Sequence, residues 1–272
     1  MLTTRIMTAV VLFGFLLLLL FSGCPHAFEL VLTGFFALAS WESFRLFGNA
    51  YPAWSALLWT PVFPLIIYTA DLSKLSIFLS VCVAIWCVRF APALKFGLPQ
   101  TKGTANLVLA GLYSLAILAF FVGTYELFLH SPMFLLSIIS IVLIADIGAY
   151  AFGKTFGKHK LAPQISPAKT WEGAIGGWLS VLVIAGFSTM VPMLNDTFAV
   201  KFQSKLGWLG MFVILTLLVA CSVVGDLFES RLKRRAGMKD SSHLLPGHGG
   251  VLDRIDALIP VLPLASLLDM WM

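Results

Sequence analysis

Charge is what this sequence has least of. Only 11% of its residues are Asp, Glu, Lys or Arg, against roughly 25% in a soluble domain. No long polar block occurs anywhere, which excludes a separate soluble domain within the chain. Cysteine is also sparse: Cys24, Cys82, Cys87 and Cys221 lie apart, with no CxxC pair. That excludes a disulfide framework or a cysteine zinc site and leaves them as small apolar residues. No internal repeat and no low-complexity linker interrupts the chain. Nucleic-acid binding is excluded too: the formal net charge is +5, but the basic residues sit in short connections between apolar runs, the pattern of topological charge bias.

What is present is apolar residue, 59% of the total. The bilayer is the solvent for such a chain, and an all-α, polytopic integral membrane bundle is the fold it predicts. A helix needs about 20 mainly apolar residues to cross the hydrocarbon core. About nine candidate spans meet that requirement, roughly 5–23, 28–47, 53–70, 75–94, 106–127, 133–153, 172–194, 207–232 and 251–271. The third is weakened by Pro61 and Pro64. Arg5, the run Val10 to Phe21 and Ser22-Gly23-Cys24 mimic a lipoprotein signal, but further spans follow at once and the stretch serves equally as a first helix. The chain reads as one membrane domain, 1–272, with spans of 1–130 as scaffold and those of 131–272 carrying the chemistry.

With the N-terminus inside, fifteen of the eighteen Lys and Arg residues fall in inner connections and only Lys74, Lys201 and Lys205 fall outside. The two longest polar loops, 154–171 and 231–250, then share the cytoplasmic face. An odd number of spans puts the C-terminus outside.

Ionisable residues in spans are costly, so each is a functional candidate. Glu29, Glu42, Asp71, Glu126, Asp196 and Asp269 lie near span ends, where snorkelling or local pairing accounts for them. Glu42 and Arg45, at i and i+3, are expected to pair on one helix face. Three groups differ. Asp146, Tyr150 and Gly153 share one face of the sixth span, and the Gly/Lys run after them suits a loop near phosphates. Ser166-Pro167 reads as an N-cap and first position of the seventh span, which projects Lys169 and Glu172 from its opening turns towards an anion. Asp226, Glu229, Ser230 and Lys233 form a polar stripe ending the eighth span. Asp253 and Asp256 put two carboxylates on one face of the ninth, and Pro246-Gly247-His248-Gly249-Gly250 between them can fold tightly. Carboxylates from two helices suit a hard divalent cation, and the neighbouring Lys and Arg residues suit phosphates. His243 and His248 lack zinc-ligand spacing.

The stretch Ser230-x-x-Lys233-Arg234-x4-Lys239-Asp240-x4-Leu245-Pro246-Gly247-His248-Gly249-Gly250-x-x-Asp253-Arg254-x-Asp256 resembles the signature of the phosphatidate cytidylyltransferases, or CDP-diacylglycerol synthases. Asp146 to Lys158 and Ser166 to Gly173 are similar to that family too, and the resemblance carries motifs from about residue 140 onwards. One departure is Ile147, where the family pattern has Ser or Thr. The resemblance implies magnesium-dependent conversion of CTP and phosphatidic acid to CDP-diacylglycerol and pyrophosphate, at the cytoplasmic face of a bacterial inner membrane. It implies Asp226, Asp253 and Asp256 as metal ligands, with Lys169, Lys233 and Arg254 completing the catalytic set. Substrate contacts are implied at Asp146, Lys169, Glu172, Lys233, Arg234, Lys239, Asp240, His248, Gly249 and Gly250. Two other readings stay open: a relative acting on another lipid phosphate, and a cation-coupled transporter, against which the absence of an inverted repeat counts. A CDP-alcohol phosphatidyltransferase is excluded, because its DG, AR and DxxxD elements on consecutive helices are missing. Whether the protein is a homodimer is not legible.

Overall fold

The computed structural model describes residues 2–245, 247 and 249–271. Its helices are α1 (Leu2–Phe21), α2 (Pro25–Leu46), α3 (Pro52–Trp59), α4 (Val62–Thr69), α5 (Leu72–Ile85), α6 (Ala91–Phe96), α7 (Thr104–His130), α8 (Pro132–Phe156), α9 (Trp171–Ser188), α10 (Phe198–Arg235), α11 (Leu252–Ile255) and α12 (Val261–Met270). A π-helical turn, Trp86–Phe90, joins α5 to α6. Among the described residues the only sheet is a two-stranded antiparallel hairpin, β1 (Lys160–Ala162) with β2 (Ser166–Thr170). The fold is an all-α polytopic membrane bundle.

Six helices among the described residues are long and apolar enough to cross a membrane: α2, the continuous Leu72–Phe96, α7, α8, α9 and α10. The count of nine is not confirmed. The third expected span is the pair α3 and α4, each 8 residues, broken at Thr60-Pro61. The ninth is α11 and α12, 4 and 10 residues, with Pro260 between them. Proline supplies no amide hydrogen and its ring clashes with the preceding turn, so neither segment can be one continuous helix. The eighth begins where expected, because Gly207 takes φ 70° and breaks α10 there.

Helix α7 is the axis. Leu118 to Val122 are five consecutive buried residues, which on a helix of 3.6 residues per turn means that every face is covered. Phe36 and Phe63 pack on Phe121, while Phe90, Tyr113 and Phe228 join α7 to α10. Outward-facing Leu58 and Val88 are more than three-quarters exposed, as lipid-facing side chains should be. All four cysteines are free; Cys82 is buried, but Cys24 and Cys87 are exposed rather than buried as small core residues.

Helices α8 and α9 pack backbone to backbone. A Cβ on Gly177 would lie 2.3 Å from the Ala145 carbonyl oxygen, and one on Gly173 would lie 2.7 Å from that of Ala149. Small residues at such contacts are how membrane helices approach closely. Gly153 belongs to this contact, since its Cβ would meet Thr170 Oγ1 at 3.1 Å. The Gly/Lys run is therefore the last turns of α8 rather than a phosphate loop.

Candidate active site

A cavity of about 370 Å³ opens between α8, β2, the start of α9 and α10. Asp146, Tyr150 and Lys154 line it from α8, Lys169 and Thr170 from β2, and Ser222 and Asp226 from α10. The shared face expected for Asp146 and Tyr150 is therefore realised. Ile147 points away from it and is 60% exposed, so the hydroxyl that the family pattern carries there would not reach this cavity. The Lys169 ammonium pairs with the Asp226 carboxylate across the cavity, and the Ser230 hydroxyl donates to Asp226 Oδ1 at 3.3 Å.

The delivery of Lys169 differs from expectation. Ser166 is not an N-cap, because residues 166–170 form β2 and α9 starts at Trp171. Thr170 is the cap, its Oγ1 accepting from the Gly173 amide at 3.2 Å. Pro167 fits an edge strand as well as a first helical turn, and hairpin pairing decides between them. Glu172 does not pair with Lys169. Its carboxylate accepts from the amides of Lys158 (3.1 Å) and His159 (3.2 Å) and lies 2.6 Å from His159 Nδ1. Glu172 thus fixes the hairpin that carries Lys169.

A second cluster surrounds Lys233. Its Nζ lies 2.5 Å from Glu229 Oε2 and 2.6 Å from Asp253 Oδ1, and the three side chains are 12%, 0% and 4% exposed. Breaking an enclosed pair of this kind costs about 3–5 kcal/mol, because a buried charge is stranded. Asp253 Oδ2 accepts from the amides of Ser241 and Gly250, both at 2.8 Å, and from Ser241 Oγ at 2.9 Å. Burial opposes its charge, yet the Lys233 ammonium and the two amides hold the Asp253 carboxyl below the usual carboxylate range.

The signature loop closes on a residue that the sequence offered only as a local partner of Arg45. Glu42 is fully buried, and it accepts from Ser242 Oγ at 2.5 Å, Ser241 Oγ at 3.0 Å, Val251 N at 3.0 Å and Leu252 N at 2.6 Å. It does not pair with Arg45, whose guanidinium instead lies 4.8 Å from the Trp41 ring centre. A Cβ on Gly250 would meet Ser241 Oγ at 2.1 Å and Glu42 Oε1 at 2.3 Å. The Gly-Gly step therefore lets the loop close on the chain's own carboxylates. Pro246 and His248 lie outside the described residues.

The basic run divides into two. Arg231 Nη1 donates to the Leu94 carbonyl, and Arg235 Nη1 to that of Pro99 at 3.2 Å; these two dock α10 on the 94–99 segment. Arg234, Lys239, Asp240 and Arg254 are exposed at the same end.

Asp226, Asp253 and Asp256 do not share one coordination sphere: among the described residues no group of three His, Cys, Asp or Glu side chains is placed to hold a metal. Asp253 is occupied by Lys233 and the loop amides. Asp256 lies among Asp226, Glu229 and Lys233, at a close crossing where a Cβ on Gly225 would lie 2.4 Å from the Asp256 carbonyl oxygen. Asp146, Asp226, Glu229, Asp253 and Asp256 offer oxygen donors only, the chemistry of a hard divalent cation; Asp226 and Asp253 are each held by a lysine, which a cation at either would have to displace.

Comparison with known proteins gives the family. Residues 3–270 match the model of the cytidylyltransferase family. The chain is 33% identical to the phosphatidate cytidylyltransferase of Haemophilus influenzae over 294 aligned positions, which cover 98% of both chains. It is 45% identical over 137 positions to that of Pseudomonas aeruginosa, covering 50% of this chain and 47% of the relative. Against that of Staphylococcus saprophyticus it is 43% identical over 148 positions, covering 54% and 53%. The chain belongs to the cytidylyltransferase family, as a nucleotidyltransferase built into a membrane-spanning helical bundle.

Proposed function

We propose that this protein transfers the cytidylyl group of CTP to phosphatidic acid, giving CDP-diacylglycerol and pyrophosphate for phospholipid synthesis. The observation that carries the reading is the Lys169–Asp226 pair in a cavity between membrane helices, in a chain whose relatives bear that name. An oxygen of the lipid phosphate attacks the α-phosphorus of CTP. The bond from that phosphorus to the bridging oxygen breaks, and pyrophosphate leaves with its electron pair. Two anions must meet for this, so their repulsion dominates the barrier.

Lys154 and Lys169 line the cavity and Lys233 stands in the neighbouring cluster; Lys169 and Lys233 are each already held by a carboxylate that phosphate oxygens could displace or share. Arg234, Lys239 and Arg254, exposed at the same end, are suited to the triphosphate. Asp146 faces the charge on Asp226, while Asp240, His248, Gly249 and Gly250 are the signature-stretch residues assigned to CTP contacts. Asp226 and Asp256 would hold magnesium, which when bound neutralises charge between the phosphates. Asp253 acts by holding Lys233 and the loop. A phosphate monoester has its second pKa at about 6, so the attacking oxygen needs no strong base. The charge bias of the connections supports a cytoplasmic-facing site in the inner membrane, where CTP is available.

Purified protein given labelled CTP, phosphatidic acid and magnesium should release pyrophosphate and form labelled CDP-diacylglycerol. No product with any phospholipid acceptor contradicts the reading, and preference for a different lipid phosphate in competition would replace the acceptor.

A further inference from the structure

We infer that Glu42, in the second helix, is a positioning residue for the reaction: it tethers the signature loop and so sets where Asp253 and Lys233 stand. The inference rests on the reaction proposed above for its kinetic consequence, but not for the tether itself.

Glu42 lies one turn before the end of α2, a helix that contributes no other side chain to the site described. Its carboxylate is fully buried, and among the described residues no ion pair involves it. A buried carboxylate without a cation persists only when hydrogen bonds satisfy it. Here four donors do so, all from the loop some two hundred residues away: Ser241 Oγ, Ser242 Oγ, Val251 N and Leu252 N. The last two amides belong to the start of α11, where the first N–H groups of a helix have no partner of their own. Glu42 therefore closes both ends of the loop at once, its serine entry and its helical exit.

The path onward to the site is short. Ser241 Oγ bridges Glu42 Oε2 and Asp253 Oδ2, at 3.0 and 2.9 Å. Asp253 in turn holds Lys233 Nζ at 2.6 Å. Gly250 donates to Asp253 at 2.8 Å, and no side chain larger than hydrogen fits between it and Glu42. Glutamine is nearly the same size as glutamate, but half of its head donates rather than accepts, so it faces at least two of these donors with a third.

The test uses the full chain in detergent–lipid micelles. Glu42→Gln should raise hydrogen exchange at the Val251 and Leu252 amides by roughly tenfold, the cost of one or two lost buried hydrogen bonds. The central α7 amides should keep their protection. The KM for CTP should rise by about tenfold as well; loss of folded protein alone would lower the maximal rate and leave KM unmoved. If that variant fails to fold, Ser242→Ala removes a single donor and should show the same two changes at about threefold. Unchanged exchange at 251–252 overturns the tether, and raised exchange with an unchanged KM overturns the positioning role. Absence of turnover by the parent protein contradicts the proposed reaction instead, and the exchange result is read without it.

Discussion

The two ends of the bundle both gather charges, but they pair them differently. At the end formed by the α7–α8 turn and the start of α10, His130 Nδ1 lies 2.8 Å from Asp269, Lys201 Nζ lies 2.7 Å from both His130 Nε2 and Asp196, and Ser131 bonds Asp196. A cavity of about 540 Å³ lies there, with Glu126 and Asp269 in its wall, and it is larger than the one at the opposite end. Volume therefore does not identify the site. Pairing differs: Asp196 and Asp269 each have a cationic or protonatable partner, whereas Asp146, Asp226, Glu229, Asp253 and Asp256 cluster at the other end, with Lys169 and Lys233 the lysines paired inside the cluster. The first arrangement ties helix termini together. The second holds more carboxylates than paired lysines, while Arg234, Lys239 and Arg254 are exposed at the same end.

Substitutions that treat the two ends alike would break this contrast. Asp226→Asn should lower turnover by about 10²–10³-fold, the size of a lost electrostatic contact at a reacting centre. Asp269→Asn, at the opposite end, should leave turnover within about twofold, since it removes an exchangeable partner of a histidine. Equal losses from the two would show that the ends do not differ in function. Next in size is Gly250→Ala. Its methyl group would overlap Ser241 Oγ and Glu42 Oε1, and pushing the loop off its anchor should cost about 1–3 kcal/mol, read as lower thermal stability and weaker CTP binding. The smallest effect belongs to Lys201→Ala. Its side chain is 30% exposed and that of its partner Asp196 is 47% exposed, so about 1 kcal/mol or less of stability should be lost, with turnover unchanged.

The sequence shows the site's members better than its joinery. Helix spacing alone placed Glu229 with Lys233, and Asp146 with Tyr150, because i, i+4 neighbours are fixed by the backbone itself. The signature stretch likewise marked Lys233, Asp253 and the Gly-Gly step. Long-range pairing was not legible. Glu42 has an arginine three residues on, and local spacing favours that partner; nothing in the chain says that four donors wait beyond residue 240. Lys169 was visible as a candidate, but its delivery by a strand rather than a helix depends on hairpin pairing with Lys160–Ala162, too short a strand to leave a period. The span count failed for a related reason. Hydropathy measures length of apolar chain, and α3–α4 and α11–α12 are long enough as sequence, yet Pro61 and Pro260 divide them.

The most direct test of the carboxylate cluster as a nucleotidyl-transfer site is pyrophosphate release from CTP, phosphatidic acid and magnesium by the parent protein, Asp226→Asn and Asp269→Asn side by side. The account predicts release matched by CDP-diacylglycerol in the parent and in Asp269→Asn, and loss of both products in folded Asp226→Asn. Release that survives in Asp226→Asn, or that never occurs in the parent, would contradict it.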